Sequence, residues 1–200
     1  MNEDEKKTLE QMFEAMGNTG GRFVIGQVVG SQTININGKA PAAENKGNGG
    51  RPKRKGKAIN KAFIYDAGSE TNTRLQLFYY GLLSLDWIKP ETDLKSFLSV
   101  FSGKDTAFRI VWTGEINTLS ELFRELVTRK SLVQLPQGES LWMMVNARFW
   151  EKEGGKEFGN DRLRTTRTPV EGLDKIETLV KVMNPDTPIE ELRKAAQSQR

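Results

Sequence analysis

The most regular pattern of hydrophobic and polar positions lies between residues 108 and 130. An apolar run over 110–112 has the length and composition of a short buried strand. After a turn at Thr113-Gly114, apolar residues recur at the spacing of one helical face, namely Leu119, Leu122, Phe123, Leu126 and Val127. The segment therefore predicts a strand, a turn and an amphipathic helix.

Polar residues at both ends of this helix predict how it begins and ends. Asn117 or Thr118 can accept a hydrogen bond from a free amide of the first turn, and Glu121 follows Thr118 at capping-box spacing. Arg129 and Lys130 complement the negative end of the helix dipole. Glu121 and the neighbouring carboxylates are predicted to lie on the surface.

The same periodicity predicts further helices in the second half of the chain. They cover residues 72–85, 93–101 and 173–183. Thr92 is the expected N-cap of the second of these helices. Over 139–153 we expect a helix that ends at Gly154-Gly155, although the sequence also permits a strand. Pro188 marks the start of a polar C-terminal helix.

The N-terminal part of the chain has a different composition. Residues 4–16 predict a short helix, and residues 22–37 predict a β-hairpin. Residues 38–61 contain few apolar side chains and are typical of a flexible linker. The expected organisation is an arm over 1–37, the linker, and a helical globular domain over 62–200. The predicted fold class is mainly α with short β elements (α+β).

Composition excludes several kinds of chemistry. The chain contains no cysteine and no histidine, which removes disulfides, Cys or His zinc sites and thiol nucleophiles. The carboxylates show no spacing that demands an acid/base or two-metal site; they are Glu115, Glu121, Glu125, Glu151, Glu153 and Glu157. We therefore expect a protein that is not an enzyme and that binds no cofactor and no metal.

The hydropathy of the chain predicts a soluble, cytoplasmic protein without a membrane partner. No apolar run approaches the roughly 18 residues that a spanning helix needs. The N-terminus is acidic and polar, whereas a signal peptide is basic and then apolar.

The positive charge of the chain is concentrated in one segment, residues 46–61, which we call the basic tract. The net charge of the whole chain is +4. The tract holds no acid and seven basic residues, so the rest of the chain sums to 4 − 7 = −3. The seven are Lys46, Arg51, Lys53, Arg54, Lys55, Lys57 and Lys61. The basicity is therefore a local feature that predicts a polyanionic partner.

The centre of the tract, Gly50 to Lys57, resembles an AT-hook, the short motif that binds the minor groove of A·T-rich DNA. An extended Arg-Pro core fits that groove, and flanking cations meet phosphates. Gly49 replaces the first arginine of the usual motif. The candidate nucleic-acid ligands are Arg51, Pro52, Lys53, Arg54, Lys55 and Lys57. A solvated basic linker and a targeting address remain the alternatives.

Two further groups of residues are weaker candidates for nucleic-acid contact. Arg162, Arg164 and Arg167 fall in a predicted loop before Pro169 and can meet phosphates, or they form a solvated loop face. Aromatic residues in apolar periodic segments are expected in the core rather than as stacking platforms for bases. These are Trp87, Trp112, Trp142, Trp150, Tyr79 and Tyr80.

Residues 75–135 resemble the RteC family of conjugative-transposon regulators from Bacteroidetes. The resemblance lies in an apolar helix, a Phe-rich helix ending in Phe101-Ser102-Gly103, a strand ending in Trp112, and a Leu-x-x-Leu-Phe-x-x-Leu helix over 119–126. It implies a helical regulator with a helix-turn-helix or winged-helix unit. The mixed charge of the last helix, with Glu121 and Glu125 beside two arginines, is poor for a helix that reads the major groove.

Two functions follow as hypotheses. The first is a non-enzymatic, DNA-associated regulatory or accessory protein of a mobile element or phage, which contacts duplex DNA through the basic tract. The second is a protein interaction or assembly module without a nucleic-acid role. In that case residues 1–37, which carry apolar side chains but no core of their own, dock on a protein partner or on a second copy.

Overall fold

Helices and short strands alternate through the part of the chain that the computed structural model describes, residues 59–151, 155–169 and 171–192. The helices are α1 (Thr71–Ser84), α2 (Leu94–Ser99), α3 (Ile116–Phe123), α4 (Leu141–Arg148), α5 (Asn160–Thr165) and α6 (Leu173–Met183). The strands are β1 (Ile64–Tyr65), β2 (Ile110–Trp112), β3 (Val133–Gln134) and β4 (Phe149–Glu151). A 3₁₀ turn, Gly68–Glu70, precedes α1, and a π-helix, Arg124–Arg129, continues α3. The fold is mainly α with short β elements, as predicted.

Several predictions concern residues outside this described part. They are the helix over 4–16, the hairpin over 22–37 and the basic tract up to Lys57. The winged-helix unit also stays a prediction. No described helix is long and apolar enough to cross a membrane.

The strands form two separate pairs. β1 lies antiparallel to β3, with Ile64 opposite Gln134. β2 lies parallel to β4, with Ile110 opposite Phe149 and Trp112 opposite Glu151. The parallel pair needs a long crossover, which contains α3, the π-helix, β3 and α4. The carboxyl ends of β2 and β4 therefore lie side by side.

Aromatic side chains dominate the core. Phe123 of α3 stacks on Phe63 with ring centroids 5.0 Å apart and meets Phe149 of β4 edge-on at 5.1 Å. α1 is buried around most of its circumference, with six buried apolar side chains, Leu75, Leu77, Phe78, Tyr79, Leu82 and Leu83. The strand over 110–112 and the helices over 72–85 and 173–183 are confirmed, because their apolar faces build this core.

The prediction that Thr92 caps α2 is wrong. Asp93 is the N-cap, and its carboxylate accepts a hydrogen bond from the Ser96 amide at 2.8 Å. Thr92 is buried, and its carbonyl accepts a hydrogen bond from the Tyr79 hydroxyl at 2.6 Å. Both residues are good caps, so the choice between them depends on this contact between α1 and the loop before α2.

Replacing Asp93 with alanine is expected to lower the free energy of unfolding by about 1 kcal/mol, because the Ser96 amide loses its partner. Urea unfolding followed by circular dichroism measures the change. The matched control is Glu91→Ala, which removes an exposed acid with no capping role. Equal loss of stability in both variants would contradict the cap assignment.

The predicted helix over 139–153 is only partly correct. α4 ends at Arg148, and the next three residues form β4, so the alternative strand assignment holds for the second half. Phe149 and Trp150 favour a strand, and β2 offers a complete row of backbone partners. The pairing of β4 with β2 therefore ends α4 at Arg148 rather than at the predicted Gly154.

Candidate nucleic-acid interface

The end of the basic tract is fixed to the globular domain by hydrogen bonds from distant residues. The Arg148 guanidinium donates to the Ile59 carbonyl, and the Thr106 amide donates to the Asn60 carbonyl at 2.6 Å. The Lys61 ammonium donates to the Gln137 carbonyl at 3.3 Å. Residues 59–61 therefore belong to the globular domain.

Arg148 is the central residue of this attachment. Its side chain is fully buried, and it also donates to the Thr106 carbonyl at 2.5 Å and to the Phe108 carbonyl at 3.0 Å. No described carboxylate forms an ion pair with it. Burial lowers the pKa of Arg148, the nearby Arg109 lowers it further, and Asp105 raises it. Three backbone carbonyls from two segments, at residue 59 and at residues 106 and 108, therefore hold a buried positive charge that has no direct ion pair among the described residues.

The structure does not bring the three predicted arginines together as a phosphate site. Arg162 and Arg164 lie in α5, so the prediction of a loop is wrong for them. Arg162 pairs with Glu151 at 2.8 Å, and Arg164 pairs with Asp161 at 3.2 Å. Arg167 follows α5 and is exposed, without an ion pair to any residue the structure describes.

Arg162 and Arg167 instead line an open groove of about 530 Å³ at the carboxyl ends of β2 and β4. Two acids, Glu115 and Glu151, line the same groove, so its charge is balanced. The other lining residues are Trp112, Gly114, Ile116, Asn117, Phe158 and Thr166. A balanced groove gives little attraction for a polyanion. Within the described chain, no group of carboxylates is placed to hold a metal ion.

Glu121 is buried, so the prediction that it lies on the surface is wrong. It forms ion pairs with Arg129 at 2.5 Å and Arg124 at 3.1 Å. Burial by itself raises the pKa of Glu121, but the hydrogen bonds from Arg129 and Arg124 outweigh it and hold this pKa below its usual value. Glu121, Arg124 and Arg129 therefore form a charged cluster where α3 continues into the π-helix.

The predicted capping box at this helix is also wrong. α3 begins at Ile116 without a side-chain cap, and Asn117 accepts a hydrogen bond from the Thr118 amide at 2.8 Å. Glu121 points to arginines rather than back to the first turn. Arg129 binds Glu121 and Glu125, and it lies in the last turn of the π-helix, where the sequence places a cation that complements the helix dipole.

Arg124 connects this charged cluster to the groove. Its guanidinium donates to the carbonyls of Arg164 at 3.1 Å and Thr166 at 2.9 Å. It also lies over the ring of Trp142, 5.3 Å from the centroid. Arg124 therefore positions the segment that precedes Arg167. Sequence reasoning missed this role and that of Arg148, since neither arginine belongs to a motif.

Two of the four tryptophans, Trp87 and Trp112, are too buried to serve as stacking platforms for bases. Trp87 and Trp112 are buried and pack against each other with centroids 5.6 Å apart. Trp150 is partly buried beneath Arg109, which lies 4.7 Å from the ring centroid. The prediction that these aromatic residues serve the core is confirmed for Trp87, Trp112 and Tyr79.

Comparison of the chain with protein-family models, with curated proteins and with solved structures gives no match. The resemblance of residues 75–135 to RteC-type regulators stays a prediction.

Proposed function

We propose that this chain is a non-enzymatic, DNA-associated regulatory or accessory protein of a mobile element or phage, acting in the cytoplasm. Its contact with duplex DNA is made by the basic tract, chiefly by Arg51, Lys53, Arg54 and Lys55. The globular domain organises that contact and holds the end of the tract in place.

One observation carries the proposal, namely the separation of charge between the tract and the domain. Residues 62–200 contain 19 Lys and Arg against 20 Asp and Glu, a net charge of 19 − 20 = −1, whereas the tract carries +7. A domain that is close to neutral gives little net attraction for a phosphate backbone, which carries one charge per about 1.7 Å of duplex. A nucleic-acid partner is therefore attracted by the tract.

The contacts of the domain's arginines also favour DNA binding through the tract. Arg74 is buried, pairs with Glu70 at 2.6 Å and donates to the Val182 carbonyl at 2.9 Å. Arg124 and Arg129 neutralise Glu121. These cations stabilise the fold and are not free to meet phosphates.

The test is duplex DNA binding by the full chain, measured by fluorescence anisotropy at several salt concentrations. Neutralising about five to seven phosphates gives a slope of log affinity against log salt near −0.9 for each contact. Changing Arg51, Lys53, Arg54 and Lys55 to alanine is expected to flatten that slope by about 3.6. The matched control changes four exposed lysines of the domain to alanine, namely Lys89, Lys95, Lys130 and Lys181. Its slope should differ from that of the wild type by less than about 0.9, the value of one contact.

Two outcomes would overturn this proposal. If the wild-type chain fails to bind duplex DNA at low salt, the protein interaction module with docking through residues 1–37 becomes the better account. If the tract variant binds like the wild type, the DNA contact lies elsewhere. Size-exclusion chromatography with light scattering would then test for self-association.

A further inference from the structure

We infer that the open groove at the carboxyl ends of β2 and β4 binds a small zwitterion, namely a free α-amino acid with a large apolar side chain. Arg167 binds the carboxylate of this ligand, and Glu115 binds its ammonium group. All residues that line the groove lie outside the basic tract. The inference therefore adds a second ligand to the chain and does not depend on DNA binding.

The four charged residues that line the groove form one joined pair and one separated pair. Arg162 and Glu151 are joined by an ion pair at 2.8 Å. Glu115 and Arg167 are exposed, and within the described chain they form no ion pair with each other or with any other residue. A simple anion or a simple cation would leave one of these two charges unmatched. A ligand that carries both charges matches both.

Hydrogen bonds anchor the backbone on both sides of the groove. On one side, the Trp112 indole donates to the Glu115 carbonyl at 3.0 Å. On the other side, the Arg124 guanidinium donates to the carbonyl of Thr166, next to Arg167, at 2.9 Å. The two free charges therefore lie on separate segments that are already ordered. A site with ordered walls loses less entropy when the ligand binds.

The rest of the groove lining is mainly apolar. Trp112 and Phe158 are buried residues that line it, and Ile116 is partly buried. Ligand pockets usually combine such a lining with a few polar groups that fix the orientation of the ligand, in volumes of about 300–1,000 Å³. Crevices at the carboxyl ends of parallel strands are also frequent ligand sites. The aromatic and aliphatic lining favours an amino acid with a large apolar side chain.

The test is isothermal titration calorimetry of the full chain with L-phenylalanine and L-leucine, both of which are expected to bind saturably. Two derivatives are the matched ligands. N-acetyl-L-phenylalanine lacks the ammonium group, and L-phenylalaninamide lacks the carboxylate. Each derivative is expected to bind about tenfold more weakly than L-phenylalanine, because one charge-assisted hydrogen bond is lost.

Two variants test the two charges separately. In Glu115→Gln, the preference for L-phenylalanine over its N-acetyl derivative should disappear, while the preference over the amide remains. In Arg167→Gln, the preference over the amide should disappear, while the preference over the N-acetyl derivative remains. A merely structural role of either residue would weaken all three ligands alike. Glu91→Gln and Arg164→Gln are the matched controls, since both residues are exposed and lie outside the groove, and they should bind like the wild type.

Three results would overturn the inference: no binding of either amino acid in the millimolar range, equal binding of L-phenylalanine and both derivatives, or variants that keep the wild-type preferences. Thermal unfolding verifies that each variant is folded, and the derivative series with the wild-type chain decides the question without any variant. A chain that binds L-phenylalanine but no duplex DNA would refute the proposed function and leave this inference standing. The reverse result would refute this inference alone.

Discussion

Replacing Arg148 with methionine is expected to lower the free energy of unfolding by about 2–4 kcal/mol. Methionine keeps the length and apolar stem of the side chain but donates no hydrogen bond. The carbonyls of Ile59, Thr106 and Phe108 then lose their guanidinium partner in a partly buried site. Each unsatisfied buried acceptor costs about 1–3 kcal/mol. Removing a desolvated charge offsets part of that cost.

Urea unfolding at neutral pH, followed by tryptophan fluorescence, measures this loss. Arg164→Met is the matched control because its guanidinium is 66% exposed and pairs with an exposed Asp161. That control should change the free energy by less than about 0.5 kcal/mol. A result for Arg148→Met within this range would show that the three carbonyls find water, and that Arg148 does not hold the end of the tract.

The two longest α-helices were predictable from the sequence. α1 and α6 repeat apolar residues at helical spacing over three turns or more, and burial of those faces decides the local structure. Shorter elements were harder to predict from the sequence. α2 has six residues, and its first residue depends on whether Thr92 or Asp93 is drawn into the core. β4 exists because β2 lies beside it, a relation that no local pattern contains.

The candidate interface was only partly predictable for a related reason. The concentration of charge in the tract is visible in the sequence itself. The anchor is not visible, because Arg148 contacts residues that lie 40 to 89 positions away in the chain. The sequence pattern predicts Glu121 on the surface as a polar residue of an amphipathic helix, yet the π-helix that follows places Arg129 within ion-pair distance of it. Long-range contacts decide the position of Arg148, and a local change of helical pitch decides the pairing of Glu121.

Glu121→Gln is expected to lower the free energy of unfolding by about 2 kcal/mol at pH 7. Glutamine keeps the shape of glutamate but leaves the charges of Arg124 and Arg129 without their buried anion. Breaking a fully buried pair costs about 3–5 kcal/mol. The expected value is smaller because the Arg129 side chain is 49% exposed and water can take over part of the interaction.

This loss should depend on pH in a defined direction. The two arginines hold the folded-state pKa of Glu121 below its usual value. A depressed pKa contributes stability that is complete above the unfolded pKa of about 4.3 and is lost as the pH falls through the folded pKa. The difference between the wild type and Glu121→Gln should therefore be constant from pH 7 to about 5. It should shrink at lower pH, where the protonated glutamate resembles glutamine.

Urea midpoints of both proteins between pH 7 and pH 2.5 measure this difference, and subtraction removes the titration of the other carboxylates. Glu125→Gln is the matched control because Glu125 also pairs with Arg129 but is more exposed than Glu121. Its effect should stay below about 1 kcal/mol. Equal effects of the two substitutions, or a difference for Glu121 that does not shrink in acid, would show that the cluster contributes no charge-dependent stability. The π-helix would then owe its geometry to the packing of Leu126, which is fully buried, rather than to the pairing of Glu121 with Arg129.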